Sequence, residues 1–103
     1  MNVRDLMQTE VTTLKAAEDL GLAGDIMEIG QIRHLPVMTD NKLVGIVSQR
    51  DLLRAAVSSV LRMRRSTERS WLQKIRVREV MTKKVVTIAP GATIRDATAL
   101  MLK

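Results

Sequence analysis

The sequence contains no cysteine, tyrosine or phenylalanine, one tryptophan and one histidine. Without cysteine the chain can form no disulfide, iron–sulfur cluster or thiolate zinc site. The lone histidine, His34, rules out a metal site built from several histidines. We therefore expect a protein with no metal and no required cofactor. The missing cysteines fit a reducing compartment, so a cytoplasmic location is predicted.

Long apolar runs are missing too. No run approaches the ~20 residues that a membrane helix needs, and the first residues carry an early acid, Asp5, in place of a signal-peptide core. The sequence shows no Walker-type loop, nucleophilic cysteine or Ser–His–Asp arrangement. We therefore expect no membrane partner and no enzymatic activity. Hydrophobic residues still make up 46% of the chain, which is enough for a buried core.

The positive charge is concentrated in one segment. The formal net charge is +6, and seven of the 17 Lys and Arg residues fall between Arg62 and Arg78. Residues 61–76, the basic linker, could bind nucleic acid or the phosphates of a nucleotide. Alternatively, they form a solvated connector that Trp71 anchors on the core. Because one aromatic residue offers no stacking platform for single strands, we favour the connector and expect no nucleic-acid partner.

The sequence repeats itself at a spacing of 74 residues. This register aligns Val3-Arg4-Asp5-Leu6-Met7 with Val77-Arg78-Glu79-Val80-Met81 and continues without gaps. An internal repeat determines the architecture of a chain. Repeat two stops opposite Ile29, so it has no counterparts for the residues of repeat one from Gly30 onward. Further aligned pairs are Val11 with Val85, Thr13 with Thr87, Leu14 with Ile88, Ala23 with Ala97, and Met27 with Met101.

Repeat one predicts the element order β-α-β-β-α, and repeat two supplies the first strand and helix only. Residues 11–14 are β-prone, and a helical stripe follows that Gly30 ends as a C′ residue. Asp40-Asn41 suits a two-residue turn between strands at His34–Thr39 and Lys42–Ser48. An amphipathic helix of about four turns starts at Gln49. The apolar stripe of the first helix is Leu20, Ala23, Ile26 and Met27. The apolar stripe of the helix that starts at Gln49 is Leu52, Leu53, Ala56, Val57, Val60 and Leu61.

The stretch Gly45-Ile46-Val47-Ser48-Gln49-Arg50-Asp51 crosses a strand-to-helix junction. A helix N-terminus with unpaired N–H groups suits a phosphate. Ser48 adds a hydroxyl donor, and Asp51 could accept hydrogen bonds from a ribose diol. Gly45 leaves room for a flat ligand against the strand. Ser48 and Asp51 equally fit a capping box, which needs no ligand.

With Arg33-His34-Leu35-Pro36-Val37 and the 74-residue repeat, this Gly-x-x-Ser-x-x-Asp turn resembles the CBS domain family, whose motifs pair in Bateman-type modules. The resemblance implies an α+β fold in which two motifs form a pseudo-twofold pair and bind adenosine-containing ligands between them. It gives Asp51 the ribose and Ser48 the phosphate. Val11 and Thr12 would frame the adenine opposite Leu35-Pro36. Arg33 and His34 would contact phosphates, although either residue could equally be structural.

Repeat two departs from the family pattern because it has no Gly-x-x-Ser-x-x-Asp turn. Thr93 and Asp96 have similar spacing, but we interpret them as a helix N-cap. An incomplete second repeat leaves an apolar helix face uncovered, so we expect a homodimer. The predicted organisation is a first CBS motif at residues 1–60, the basic linker at 61–76 and half a motif at 77–103.

We predict a non-enzymatic regulatory module that binds AMP, ADP, ATP or a related adenosyl ligand. A ligand-free dimerisation or interaction module is the alternative. Nucleic-acid binding through the basic linker is a weaker one.

Overall fold

A computed structural model describes residues 1–60 and 72–103, and the side chains of residues 1–56 and 72–103. The predicted anchor Trp71 and most of the basic linker lie outside the described residues, as does the fourth turn expected of the last helix of repeat one. Repeat one folds in the predicted β-α-β-β-α order, and repeat two contributes two helices. The elements are a 3-10 helix at Val3–Asp5, β1 at Leu14–Lys15, α1 at Leu20–Gly30, β2 at His34–Thr39, β3 at Lys42–Ser48, α2 at Gln49–Val60, α3 at Val77–Val80 and α4 at Ile94–Met101.

The sheet has three strands in the order β1-β2-β3. The predicted hairpin of β2 and β3 is confirmed, with His34 opposite Ser48 at one end and Thr39 opposite Lys42 at the other. Its two turn residues, Asp40 and Asn41, have φ values of 49° and 65°. Asparagine and aspartate tolerate this left-handed conformation best after glycine, so the turn follows directly from the local sequence.

Two expectations about the strands are wrong. The first strand is not at residues 11–14 but at Leu14–Lys15, where it pairs in parallel with Val37 and Met38 of β2. No strand forms in repeat two, residues 77–103, all of which the structure describes. The reason is the same for both: a strand exists only where a neighbour supplies hydrogen-bonding partners. Repeat two has no counterpart of β2 to provide them.

Two expectations about the helices also need correction. Gly30 is the last residue of α1, and Gln31 adopts the left-handed conformation with φ of 54°. A Cβ on Gly30 would lie 2.8 Å from Cδ1 of Ile32, so this glycine makes room for Ile32. On α2, Leu53 does not face the core, because its side chain is 59% exposed. Leu52 packs on the core as the stripe predicted, and Ala55, which the stripe did not include, packs there too.

The buried core lies where α1, the sheet and the start of repeat two meet. Seven of its residues belong to repeat one, and Val77 of α3 completes it with 0% exposure. A side chain of repeat two is therefore part of the core of repeat one, which couples the stability of the two repeats. The buried hydrophobic residues are Leu14, Leu20, Ala23, Met27, Leu35, Val37, Val47 and Val77.

The two repeats form the predicted pseudo-twofold pair. Val3 N donates to Ala92 O at 2.9 Å, and the bond related to it by the 74-residue shift, from Val77 N to Glu18 O, is 2.8 Å. The first residues of each repeat are thus hydrogen-bonded to the loop that precedes α1 or α4 of the other repeat. Further matched bonds are Arg4 N to Pro90 O with Arg78 N to Ala16 O, and Leu20 N to Ile75 O with Ile94 N to Met1 O.

Candidate functional site

The strand-to-helix junction of repeat one is held by a capping box. Asp51 Oδ2 accepts from Ser48 N at 2.9 Å and from Ser48 Oγ at 3.0 Å. In return, Ser48 Oγ accepts from Asp51 N at 3.2 Å. These bonds satisfy backbone groups that the first turn of a helix leaves unpaired. The structure therefore confirms that Ser48 and Asp51 form a capping box. None of its three hydrogen bonds involves Asp51 Oδ1.

The capped junction brings basic residues together. Gln49 N donates to Arg33 O at 2.8 Å, which fixes the residue before β2 against the start of α2. His34 stands opposite Ser48 in the β2–β3 pairing. As a result Arg33, His34 and Arg50 line one open cavity of about 510 Å³. Its other lining residues are Ser48, Gln49 and Leu53.

This cavity, the basic cavity, is lined by five polar or basic residues and one apolar residue, Leu53. Its lining contains two arginines and the only histidine of the sequence but no Asp or Glu. Sequence reasoning identified Arg33, His34 and Ser48, and missed Arg50 and Leu53. Leu53 was assigned to the core face because it follows Leu52 in the helical pattern. An exposed leucine beside three basic residues suits a ligand that has an apolar and an anionic part.

Asp51 faces a second, smaller cavity of about 280 Å³ between the repeats. Arg54 and Ala55 of α2 line it on one side and Val80 of α3 on the other. A group bound at Asp51 would therefore touch both repeats. Val80 aligns with Leu6 in the 74-residue register. The sequence alone does not show which residues of the other repeat Val80 contacts.

Gly45 is covered by repeat two. A Cβ on Gly45 would lie 2.5 Å from Met81 Sδ and 3.0 Å from Thr82 O. The neighbouring residue, Ile46, exchanges both backbone hydrogen bonds with Thr82, at 3.0 and 2.8 Å. The structure thus places Met81, in place of a flat ligand, against Gly45. The glycine permits the close approach of another part of the chain.

The remaining predicted site residues lie outside the basic cavity. Leu35 is fully buried in the core, and Pro36 is half-buried in β2. Val11 is 54% exposed and Thr12 is exposed, and neither lies in a strand. None of these four residues lines the basic cavity. If the β1–β2 register were extended back by three residues, Val11 would lie opposite His34. Val11 and Thr12 could then contact a ligand only at the edge of the sheet beside the cavity.

Thr93 and Asp96 form the N-cap that the sequence predicted. Thr93 Oγ1 accepts from Asp96 N at 3.1 Å, and Asp96 Oδ2 accepts from Thr93 N at 3.3 Å. Within residues 1–60 and 72–103, no group of three or more His, Asp or Glu residues could hold a metal ion. In that same part of the chain no helix is long and apolar enough to cross a membrane.

The CBS domain family model matches residues 3–58 and 77–103, so the chain belongs to the CBS domain family. Among curated relatives, homoserine O-acetyltransferase from Methanohalobium evestigatum is 31% identical over 100 residues, which cover 96% of this chain and 18% of that protein. The chain spans less than a fifth of the length of that relative. The match therefore concerns one part of a larger protein.

Solved structures share the fold. The protein AcuB from Vibrio cholerae is 36% identical with a TM-score of 0.80, covering 99% of this chain and 69% of that chain. CBSX2 in complex with AMP is 24% identical with a TM-score of 0.76, covering 98% and 73%. The CBS domain pair of protein MJ0100, in complex with 5'-methylthioadenosine and S-adenosyl-L-methionine, is 22% identical with a TM-score of 0.78, covering 99% and 75%. At these last two identities the likeness establishes the fold alone.

Proposed function

We propose that the chain is a non-enzymatic regulatory module that binds an adenosine-containing nucleotide at the strand-to-helix junction. The observation that carries this proposal is the basic cavity, which Arg33, His34 and Arg50 line together with Ser48. The structures of CBSX2 and MJ0100 with adenosyl ligands support the choice of ligand class. Leu53 would contact the base through apolar burial, because the described residues contain no Phe, Tyr or Trp side chain for stacking.

Asp51 would accept hydrogen bonds both from the helix N-terminus and from the ligand. Its Oδ2 holds Ser48 N and Oγ, and Oδ1 would accept from the ribose hydroxyls. Because Asp51 and Val80 line one cavity, a ligand held there would contact both repeats. It would favour one relative arrangement of the pair in proportion to its differential affinity. A partner or attached domain would respond to that shift.

Asp51→Ala tests the site. We expect calorimetric titration to show AMP, ADP or ATP binding to the wild type and at least a tenfold weaker affinity in the variant, because one charge-assisted hydrogen bond contributes roughly 1.5–3 kcal/mol. The matched control is Asp96→Ala, which removes the equivalent capping carboxylate of α4. Both variants should lose a similar stability of about 0.5–2 kcal/mol. Equal affinity in Asp51→Ala and Asp96→Ala would contradict the proposal.

The capping box is equally compatible with a second candidate function, a ligand-free dimerisation module, because it accounts for Ser48 and Asp51 without a ligand. In that case Ser48 and Asp51 only stabilise α2, and no adenosyl ligand produces heat in the titration. The two candidates thus separate in one experiment.

We further propose that a second copy of the chain covers the apolar face of repeat two. Met101 is 83% exposed, whereas its counterpart Met27 is 5% exposed, because β2 and α2 cover only repeat one. This face carries no charge in a chain of net charge +6, so two copies can bring it together without opposing like charges there. Its lining residues are Val86, Thr87, Ile88, Ala97, Leu100 and Met101.

Met101→Lys tests the dimer. We expect the wild type to sediment as a dimer at micromolar concentration and the variant as a monomer, since a charge buried in an apolar interface costs several kcal/mol. Ile29→Lys, at an 85% exposed position of α1, should leave the dimer intact. A monomeric wild type over the whole concentration range would reject the second copy. The face would then suit a β-β-α segment like residues 34–60.

A further inference from the structure

Met81 joins repeat two to the sheet of repeat one. Its Sδ lies directly against β3, because a Cβ on Gly45 would be 2.5 Å from that sulfur and 2.8 Å from Met81 Cγ. The next residue, Thr82, exchanges both backbone hydrogen bonds with Ile46 of β3, at 3.0 and 2.8 Å. The thioether therefore lies beside two of the bonds that dock repeat two on the sheet.

Methionine supplies the oxidisable sulfur of this protein. The sequence has seven methionines and no cysteine, so sulfur can be oxidised reversibly only at a thioether. Met81 is partly exposed, which lets a small oxidant reach it from solvent, whereas Met27 is 5% exposed and closed off in the core. Met1, Met7 and Met101 are 79%, 43% and 83% exposed, so a polar group added there would remain largely in water. Met81 thus combines access for an oxidant with a sulfur packed against the other repeat.

We infer that Met81 is a site of reversible oxidation and that its sulfoxide weakens the docking of repeat two on β3. Hydrogen peroxide would transfer one oxygen atom to Sδ: the O–O bond breaks, the sulfur is oxidised by two electrons to the sulfoxide, and the second oxygen leaves as water. The product is polar, and its oxygen needs hydrogen-bond donors. The two amides that join the repeats beside it are already used, because Ile46 N donates to Thr82 O and Thr82 N donates to Ile46 O. The sulfoxide therefore favours a position in water, away from Gly45.

Peroxide treatment followed by peptide mass spectrometry and amide hydrogen exchange tests the inference on the full chain. We expect a sulfoxide at Met81 and exchange roughly tenfold faster at Ile46 and Thr82, because local opening of the contact between repeats exposes these amides. The other hydrogen-bonded amides of the β2–β3 hairpin should keep their protection. Methionine sulfoxide reductases specific for the two sulfoxide epimers should then restore the slow exchange.

Substitutions at Met81 and at its counterpart Met7 assign the effect to one sulfur. Met81→Leu keeps a similar volume and removes the sulfur, so exchange at Ile46 and Thr82 should stay slow before and after peroxide. Met81→Gln places a polar amide there and should speed the exchange without any oxidant. Met7→Leu and Met7→Gln are the matched controls, because Met7 holds the same position in repeat one. Met7→Leu should respond to peroxide like the wild type, and Met7→Gln should exchange slowly until it is oxidised.

Three results would overturn the inference. If Met81 stays reduced while Met7 and Met101 are fully oxidised, then the oxidant does not reach its sulfur. If Met81 is oxidised while Ile46 and Thr82 exchange as slowly as before, then the contact between repeats tolerates the sulfoxide. If Met81→Leu loses as much protection in peroxide as the wild type does, then another methionine is responsible. None of these measurements uses an adenosyl ligand, so they leave the proposed function to its own test.

Discussion

Replacing Leu35 with alanine is expected to lower the free energy of unfolding by about 2–5 kcal/mol. Leu35 is 0% exposed and pairs with Val47 near the open end of the hairpin, on the same face of β2 as Val37. The substitution removes the buried side chain and leaves a cavity that a small sheet cannot close. Because domains of this size have a total stability of about 5–15 kcal/mol, the variant should be close to unfolding.

Urea denaturation measures this effect, as a shift of the midpoint at an unchanged slope. Leu53→Ala is the matched control, because Leu53 is 59% exposed and its replacement should change stability by no more than about 0.5 kcal/mol. A loss in Leu35→Ala as small as that in Leu53→Ala would show that Leu35 is not a core residue. It would restore the ligand-lining role that the family resemblance implied.

Features that depend on neighbours in the sequence were predictable. The hairpin followed from Asp40-Asn41, since those two residue types supply the positive φ that the turn requires. The start of α2 followed from Ser48 and Asp51, and the N-cap of α4 from Thr93 and Asp96. The pseudo-twofold pairing followed from the 74-residue repeat, because two similar segments with complementary surfaces adopt equivalent contacts.

Features that depend on partners distant in the chain were not predictable. Residues 85–88 resemble the β-prone segment of repeat one, but a strand also needs a neighbour, and repeat two offers none within the described residues. Leu52 and Leu53 both fit a helical stripe, and the positions of α1 and the sheet decide which one is buried. Likewise, no local pattern indicates that Met81 lies against Gly45.

The candidate site shows why a motif alone leaves function open. Ser-x-x-Asp satisfies a helix start by itself, so its presence says nothing about a ligand, and the structure confirms the capping bonds. The stronger observation is the convergence of Arg33, His34 and Arg50 on one cavity. That convergence needs the β2–β3 register and the contact of α2 with Arg33 O, which the sequence only implied.

Gly45→Val is expected to separate the two repeats. The new side chain would enter the space of Met81 Sδ, 2.5 Å from the added Cβ, and press on Thr82 O at 3.0 Å. Overpacking of this kind costs roughly 1–3 kcal/mol. The cost falls on the contact between repeats, so the backbone bonds that join Ile46 to Thr82 should break first. Amide hydrogen exchange should then show lost protection at Ile46 and Thr82, while the other hydrogen-bonded amides of the β2–β3 hairpin stay protected.

Two further variants show whether this crowding is the cause. Gly91→Ala places its Cβ 3.0 Å from Arg4 Nη2, the free end of a flexible side chain, so it should be tolerated. Met81→Ala added to Gly45→Val removes the main obstruction, and a double-mutant cycle should give a favourable coupling of at least 0.5 kcal/mol. If Ile46 and Thr82 keep their protection in Gly45→Val, then the glycine does not control the docking of repeat two. The cavity shared by Asp51 and Val80 depends on the same docking, so weaker AMP binding in Gly45→Val but not in Gly91→Ala would link the repeat contact to the ligand site.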